Sequence, residues 1–138
     1  MLNGVNDDVR WKQRFENFER AFSQFKQAID KQDEESVSLI KDGTIHRFKV
    51  THELAWKVLK DFLEYEGHQN INGSRSAIRV AFNIDLLADG QVWMNMIDSR
   101  NRTVHTYHEK ILEQEFHLVV SDYYPAFVQF QQRMHDFL

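Results

Sequence analysis

The sequence predicts an all-α protein, a helical bundle of about five helices. Apolar residues recur at steps of three and four over long stretches, which is the spacing of amphipathic helices. The chain has one Pro and five Gly, too few for the many tight turns of a β-sandwich or barrel. Its length of 138 residues is near the commonest domain size, so we predict a single helical domain over residues 1–138.

The first long helix is the clearest of the predicted elements. Asp7 or Asp8 could cap its start. The polar stretch 30–43 is predicted as a linker with at most a short turn of helix. Periodicity alone cannot tell whether the apolar seam of this helix packs inside one chain or continues into a partner chain. The seam consists of Trp11, Phe15, Phe18, Phe22, Phe25 and Ile29.

A second and a third helix are predicted in the middle of the chain. The second runs over about residues 44–66, where a wide apolar stripe indicates burial on two sides. Gly67 stands where a left-handed residue would end this helix. Ser74 is a candidate N-cap for a shorter third helix that ends near positions 87–88.

The last two predicted helices fill the C-terminal third of the chain. A fourth helix begins around Gln91, after the turn formed by Asp89 and Gly90. Apolar residues keep heptad-like spacing over residues 112–137. Pro125 interrupts that segment, so a kink or restart is predicted there.

Composition and charge narrow the class of protein. The absence of Cys excludes disulfides, thiolate metal sites and a Cys nucleophile, and it fits a reducing interior. No apolar run reaches the roughly 20 residues that span a bilayer, so we expect a cytoplasmic protein with no membrane partner. A net charge of -4 argues against a surface coated in positive charge for unspecific nucleic-acid binding, although a local basic site is compatible with it.

The stretch "SRNRTVHTYHEK", residues 99–110, concentrates polar residues that can carry chemistry. Arg100 and His105 would point roughly 140° apart on one continuous helix, so they converge only if the chain breaks between them. Thr106 and Glu109 fit a capping box, which predicts a new helix starting at Thr106. The preceding residues would then form a connector at a helix N-terminus, a position that favours a phosphate.

These residue types suit cleavage of RNA by attack of its 2′-hydroxyl on the adjacent phosphorus. His105 can exchange protons near neutral pH, and Arg100 can stabilise negative charge on a phosphoryl oxygen, with Arg102 adding charge nearby. The reaction needs no metal, and a symmetric dimer would supply a second His. The alternative is that these residues only cap helix ends and bind surface carboxylates.

The sequence does not predict a metal site. His105 and His108 are three residues apart and Glu109 follows, which could start a zinc site, but no third ligand is identifiable. The sequence also lacks a glycine-rich phosphate loop and the paired-carboxylate pattern of a catalytic nucleotidyltransferase. We therefore predict no metal and no cofactor.

Five stretches, covering nearly the whole chain, form a recognisable pattern: "RWKQRFENFERAF" (10–22), "ELAWKVLKDFLEYEG" (53–67), "AIRVAF" (77–82), "DGQVWMNMIDSRNRTVHTYHE" (89–109) and "YYPAF" (123–127). In this order they resemble the nucleotidyltransferase substrate-binding protein family of the HEPN superfamily. Members of that family are helical bundles that dimerise and are typically encoded beside a minimal nucleotidyltransferase, with which they form a complex. The resemblance thus implies a homodimer and a minimal nucleotidyltransferase partner.

The resemblance also assigns roles to the polar stretch. The superfamily motif is Arg, four to six residues, then His, often with a polar residue after the Arg; Arg100, Asn101 and His105 match it. In the related HepT toxins this pair serves metal-independent RNA cleavage at the dimer interface. A Tyr two residues after the His accepts AMP from the MntA partner, and Tyr107 stands there. The resemblance therefore implies that Arg100 and His105 are catalytic and that Tyr107 is the AMP acceptor, with Asn101 and Arg102 binding phosphate or supporting the site.

Two functions follow from this resemblance, and a third interpretation is weaker. The predicted function is that of a HEPN-type metal-independent endoribonuclease toxin silenced by AMP transfer to Tyr107. The alternative is a non-catalytic subunit that binds the substrate or nucleotide of a two-component nucleotidyltransferase, so the ligand is RNA or a nucleotide. A purely structural adaptor would not need the intact Arg-x4-His-x-Tyr stretch. The chain departs from the family at His52, where an aromatic residue is common, and at Ser74-Arg75, where Ser-Pro often begins the third helix.

Overall fold

The computed structural model describes residues 2–30, 38–103 and 109–138, and every regular element within these ranges is a helix. The predicted all-α bundle is confirmed. In order, the elements are α1 (Leu2–Asp30), α2 (Ser38–Tyr65), α3 (Ser74–Asn83), α4 (Gly90–Thr103), α5 (Glu109–Leu118), the π-helical turn (Val119–Tyr123) and α6 (Tyr124–His135). The π-helical turn joins α5 to α6 without a gap, so these two helices count as one continuous segment. The described residues therefore form five helical segments.

The aromatic seam of α1 packs inside the chain. Its five aromatic residues are at most 4% exposed. The ring of Phe18 lies edge-on to Phe130 of α6, with centroids 5.1 Å apart, and Trp11 lies edge-on to Phe62 of α2 at 4.9 Å. The seam is therefore buried against α2 and α6 of the same chain, so it needs no partner chain to cover it.

The predicted start of the first helix is wrong. Helix α1 begins at Leu2, so Asp7 and Asp8 lie inside it and cannot be its N-cap. The two carboxylates instead make local contacts. Asp7 pairs with Arg10 at 3.2 Å, and Asp8 accepts a hydrogen bond of 2.9 Å from the Trp11 indole.

The second helix begins earlier in the chain than predicted. Helix α2 begins at Ser38, so residues 38–43 of the predicted linker are helical. Lys41 of this added turn pairs with Glu113 of α5 at 3.6 Å and lies over the Phe116 ring at 5.6 Å. Tertiary contacts thus stabilise a turn that its polar local sequence does not predict.

The end of α2 confirms the prediction for Gly67. Its φ of 95° lies in the left-handed region that favours glycine. The Gly67 N–H donates to the Glu64 carbonyl at 3.1 Å, and the His68 N–H donates to the Leu63 carbonyl at 2.9 Å. These two hydrogen bonds form a Schellman motif, which turns the chain toward α3.

Helix α3 begins one residue earlier than predicted and also ends earlier than predicted. Gly73 is its N-cap, so Ser74 is the first helical residue, and the helix ends at Asn83 rather than near 87–88. Asp85 adopts a left-handed φ of 64°, and the Leu86 N–H donates to the Ala81 carbonyl at 2.9 Å. The helix stops early because Asp tolerates this conformation and because Leu86 is then buried in the core.

The starts of α4 and α6 agree with the prediction. The Asp89 carboxylate accepts hydrogen bonds from the Gln91 and Val92 N–H groups at 3.1 and 3.2 Å, so α4 begins within one residue of its predicted start. Pro125 lies in the first turn of α6, and the Tyr124 N–H before it donates to the Val119 carbonyl, a five-residue step. Pro125, which lacks an N–H, therefore falls where the helical ladder is already interrupted. None of the helices in the described ranges is long and apolar enough to cross a bilayer.

The aromatic core makes a direct stability prediction. Replacing the fully buried Phe18 by Ala is expected to lower the free energy of unfolding by about 3–5 kcal/mol, because it removes a ring and leaves a cavity. Urea denaturation would measure the change. The matched control is Phe82→Ala, at a side chain that is 45% exposed, which is expected to cost less than about 1 kcal/mol. Equal losses in both variants would contradict the described core.

Candidate functional site

A polar cleft of about 500 Å³ opens where α2, α3 and α4 meet. Three arginines from two different helices line it, together with amide and hydroxyl side chains and one buried histidine. Because these groups are mostly donors, the cleft suits a ligand that carries negative charge. Its polar lining residues are His52, Asn72, Ser74, Arg75, Ser76, Arg79, Arg100 and Asn101.

The N-terminus of α3 faces this cleft. Gly73, Ser74, Arg75 and Ser76 all line it, and the Ala77 N–H donates to the Gly73 carbonyl at 3.0 Å. The amides before Ala77 belong to the first turn, where a helix offers N–H groups that have no partner within the helix. The positive end of the helix dipole points the same way.

Arg75 and Arg79 extend the positive charge along α3. They are four residues apart, so they lie on the same side of the helix, and both line the cleft. Arg75 also pairs with Asp98 of α4 at 3.0 Å. This ion pair joins α3 to α4 and restrains the Arg75 guanidinium.

Arg100 contributes positive charge from the opposite wall. It pairs with Glu53 of α2 at 3.3 Å and lines both the cleft and a second groove of about 340 Å³. That groove is mostly apolar and includes Val50, which is 41% exposed, and Leu54. Arg100 thus stands between a polar cleft and an apolar groove, an arrangement that suits a ligand with a phosphate and a planar or apolar part.

The predicted placement of Arg100, Asn101 and Arg102 in a connector is wrong. Helix α4 continues to Thr103, so all three lie in its last turn. Basic side chains there interact favourably with the negative end of the helix dipole. Arg100 and Asn101 line the cleft, whereas Arg102 points to α5.

Arg102 belongs to a polar network that supports the end of α4. It donates to Glu115 of α5 at 2.9 Å and to the Ser99 hydroxyl at 3.2 Å. The Ser99 hydroxyl is hydrogen-bonded to the Tyr123 hydroxyl, which donates to the Asn95 carbonyl at 3.1 Å. Burial raises the pKa of Tyr123, so its hydroxyl stays protonated and can donate. Of the two roles open for Arg102, these contacts favour support over phosphate binding.

The remaining predicted site residues lie outside the described part of the chain. His105 and Tyr107 belong to residues 104–108, as does the predicted N-cap Thr106. The weighed zinc site at His105 and His108 lies there too. Within the described ranges, no group of three His, Asp or Glu side chains is placed to hold a metal ion.

His52 is a site residue that the sequence marks only as a departure from the family. It lines the cleft and is 1% exposed, and neither ring nitrogen has a hydrogen-bond partner among the described residues. Burial, reinforced by the nearby Arg100 charge, lowers the pKa of His52 to about 4, so the imidazole is neutral at pH 7. The signal in the sequence was a polar residue within the buried stripe of α2.

The bundle and its cleft define a small all-helical protein with a basic site at the junction of three helices. The chain belongs to the family described as nucleotidyltransferase substrate binding protein like, which matches residues 13–136. A search of curated proteins found no match.

Two solved structures share this fold. A protein from Thermus thermophilus is 29% identical with a TM-score of 0.75, over 84% of this chain and 97% of that one. A protein from Haemophilus influenzae is 20% identical with a TM-score of 0.76, over 88% of this chain and 98% of that one. The second structure is described as revealing the fold of a substrate binding domain of a nucleotidyltransferase.

The burial of His52 predicts a dependence of stability on pH. The pKa of His52 is about 4 in the folded chain and about 6.5 when unfolded, so the unfolded state binds the proton first as pH falls. We expect the free energy of unfolding to decrease between about pH 6.5 and pH 4, by up to about 3 kcal/mol from this residue.

Urea denaturation at several pH values would measure this dependence, with His52→Phe as the comparison. The variant keeps a buried ring but cannot be protonated, so its stability is expected to fall less over the same range. Because other groups titrate equally in both proteins, the difference between the two curves isolates His52. Parallel curves would show that His52 does not carry the effect.

Proposed function

We propose that this chain is the non-catalytic substrate-binding subunit of a two-chain nucleotidyltransferase, and that it holds a nucleotide in the cleft between α2, α3 and α4. The observation that carries the proposal is the convergence of Arg75, Arg79 and Arg100 on that cleft. Membership of the nucleotidyltransferase substrate-binding family supports the choice of partner. A minimal nucleotidyltransferase would supply the catalytic chemistry.

The size and charge of the cleft support a nucleotide as the ligand. Its volume of about 500 Å³ lies within the ordinary range for small-molecule sites. Guanidinium groups bind phosphate oxygens through two parallel hydrogen bonds, which favours Arg over Lys at such sites. The groove beyond Arg100 offers the apolar surface of Val50 and Leu54 for the remainder of the ligand.

The proposed assembly is a homodimer that binds the nucleotidyltransferase subunit. The support for self-association is the resemblance to a family whose members dimerise. In such an assembly the nucleotide would lie close to both subunits.

The direct test is binding of ATP by the isolated chain, measured by isothermal titration calorimetry. Arg100→Met is expected to weaken binding by at least about tenfold, because it removes a charge-assisted contact while keeping much of the side-chain length. The control is Arg10→Met on α1, where Arg10 pairs with Asp7 away from the cleft. Unchanged ATP affinity in Arg100→Met would contradict the proposal.

A metal-independent endoribonuclease is the second candidate function. The observation that favours it is that Arg100 and Asn101 lie side by side at the cleft, at the start of the Arg-x4-His-x-Tyr stretch. In this proposal Arg100 and His105 act on RNA, and AMP on Tyr107 blocks the site by its bulk and its negative charge.

Cleavage of labelled RNA in the presence of a chelator separates the two functions. The binding-subunit proposal predicts no cleavage by protein whose intact mass shows no AMP on Tyr107. Cleavage that disappears in His105→Ala would instead make the ribonuclease the principal function. An inactive variant must retain the native melting temperature for that comparison to count.

A further inference from the structure

We propose that the N-terminus of α3 is a phosphate-binding subsite, in which the first-turn amides, Arg75 and Arg79 hold a phosphate group against the buried His52. This subsite rests on the proposed function, because the phosphate would belong to the bound nucleotide. The new elements are the position of the phosphate at the N-terminus of α3 and the role of His52.

The first observation is the unfilled N-terminus of α3. The N-cap is Gly73, which has no side chain to accept a hydrogen bond from the first-turn amides, and its backbone is extended at φ 170°. A Cβ built at Gly73 would meet no atom within 4 Å, so space is open beside the amides. The helix has ten residues, long enough for its dipole to favour an anion at this end.

The second and independent observation is His52. Its side chain lines the same cleft while 1% exposed, and its ring nitrogens lack hydrogen-bond partners in the described ranges. A buried polar group without a partner is costly, so such groups usually mark a bound ligand or water. A neutral imidazole still has one N–H, which can donate to a phosphate oxygen.

The charges around the cleft select an anion over a cation. Arg75 and Arg79 extend from α3, and Arg100 stands on the α4 wall. Two carboxylates balance part of this charge, since Asp98 pairs with Arg75 and Glu53 pairs with Arg100. A cation entering the cleft would still meet the three positive side chains that line it.

The directions of the donors favour a phosphate over a carboxylate. Amides come from the helix end, guanidinium groups from α3 and α4, and an imidazole from α2. Donors on several sides match a tetrahedral group with three free oxygens better than a planar group with two. The same chemistry could come from free phosphate or from the terminal phosphate of a nucleotide, and titrations with each distinguish them.

Gly73→Asp is the sharpest variant for this subsite. Asp is a favoured N-cap, so the change is expected to maintain or raise the stability of α3. Its carboxylate would occupy the anion position and repel phosphate. Gly43→Asp on α2 is the matched control, because it adds the same charge in open space at a residue that does not line the cleft.

The probe is inorganic phosphate, titrated by NMR and calorimetry into the full chain. We expect Gly73→Asp to weaken phosphate binding by at least about tenfold, while Gly43→Asp remains within about threefold of the native chain. We also expect phosphate to shift the imidazole C–H signals of His52, with the exposed His117 and His135, which do not line the cleft, as internal references. Native phosphate affinity in Gly73→Asp, or His52 signals unmoved at saturation, would overturn the proposal.

Titrations with ATP and adenosine separate this subsite from the proposed function. If ATP binds through Arg100 but Gly73→Asp leaves its affinity unchanged, the nucleotide function stands and the subsite is wrong. If inorganic phosphate binds through Gly73-sensitive contacts but ATP does not bind, the subsite stands with free phosphate as its ligand and the nucleotide function fails. If ATP binds more strongly than adenosine and this difference disappears in Gly73→Asp, the result supports both the subsite and the nucleotide function.

Discussion

The packing of the α1 aromatic seam against α2 and α6 is the contact on which the rest of the structure depends. Phe18 lies against Phe130, and Trp93 of α4 joins the same cluster, with its ring 5.5 Å from Phe130 and 5.4 Å from Phe127. Because Trp93 is fully buried, it fixes α4 relative to α6. Arg100 is two helical turns further along α4, so the aromatic core also determines where the arginine of the cleft stands.

Two arginines of the cleft are placed at little cost in folding free energy, whereas burying His52 there is costly. Arg75 and Arg100 have carboxylate partners and sit at the surface, so holding them costs little. His52 is buried, with the Phe48 ring 6.1 Å away between ring centroids, and its burial opposes protonation. Under the proposed subsite, a bound phosphate would supply the hydrogen-bond partner that this buried ring lacks among the described residues.

The sequence predicted the elements better than it predicted the site. Local signals sufficed for the α1 seam, for Gly67 and for Pro125, because each acts within a few residues of the chain. They failed where tertiary contacts decide the outcome, as in the early start of α2 through Lys41. The sequence pointed to Arg100 and Asn101 but not to the rest of the cleft, for the same reason. The other lining residues come from α2, α3, α4 and the loop before α3, with no common spacing, and only the packed helices bring them together.

The charge of the whole chain bears on which anion the cleft selects. The net charge is -4, and carboxylates such as Asp98 and Glu53 stand beside the arginines that line the site. A long polyanion must cross such a surface, and each acidic side chain along its path opposes binding. A compact ligand with one phosphate-bearing end meets only the local positive field of the cleft. Within the proposed binding-subunit function, the cleft therefore suits a compact anion such as a mononucleotide.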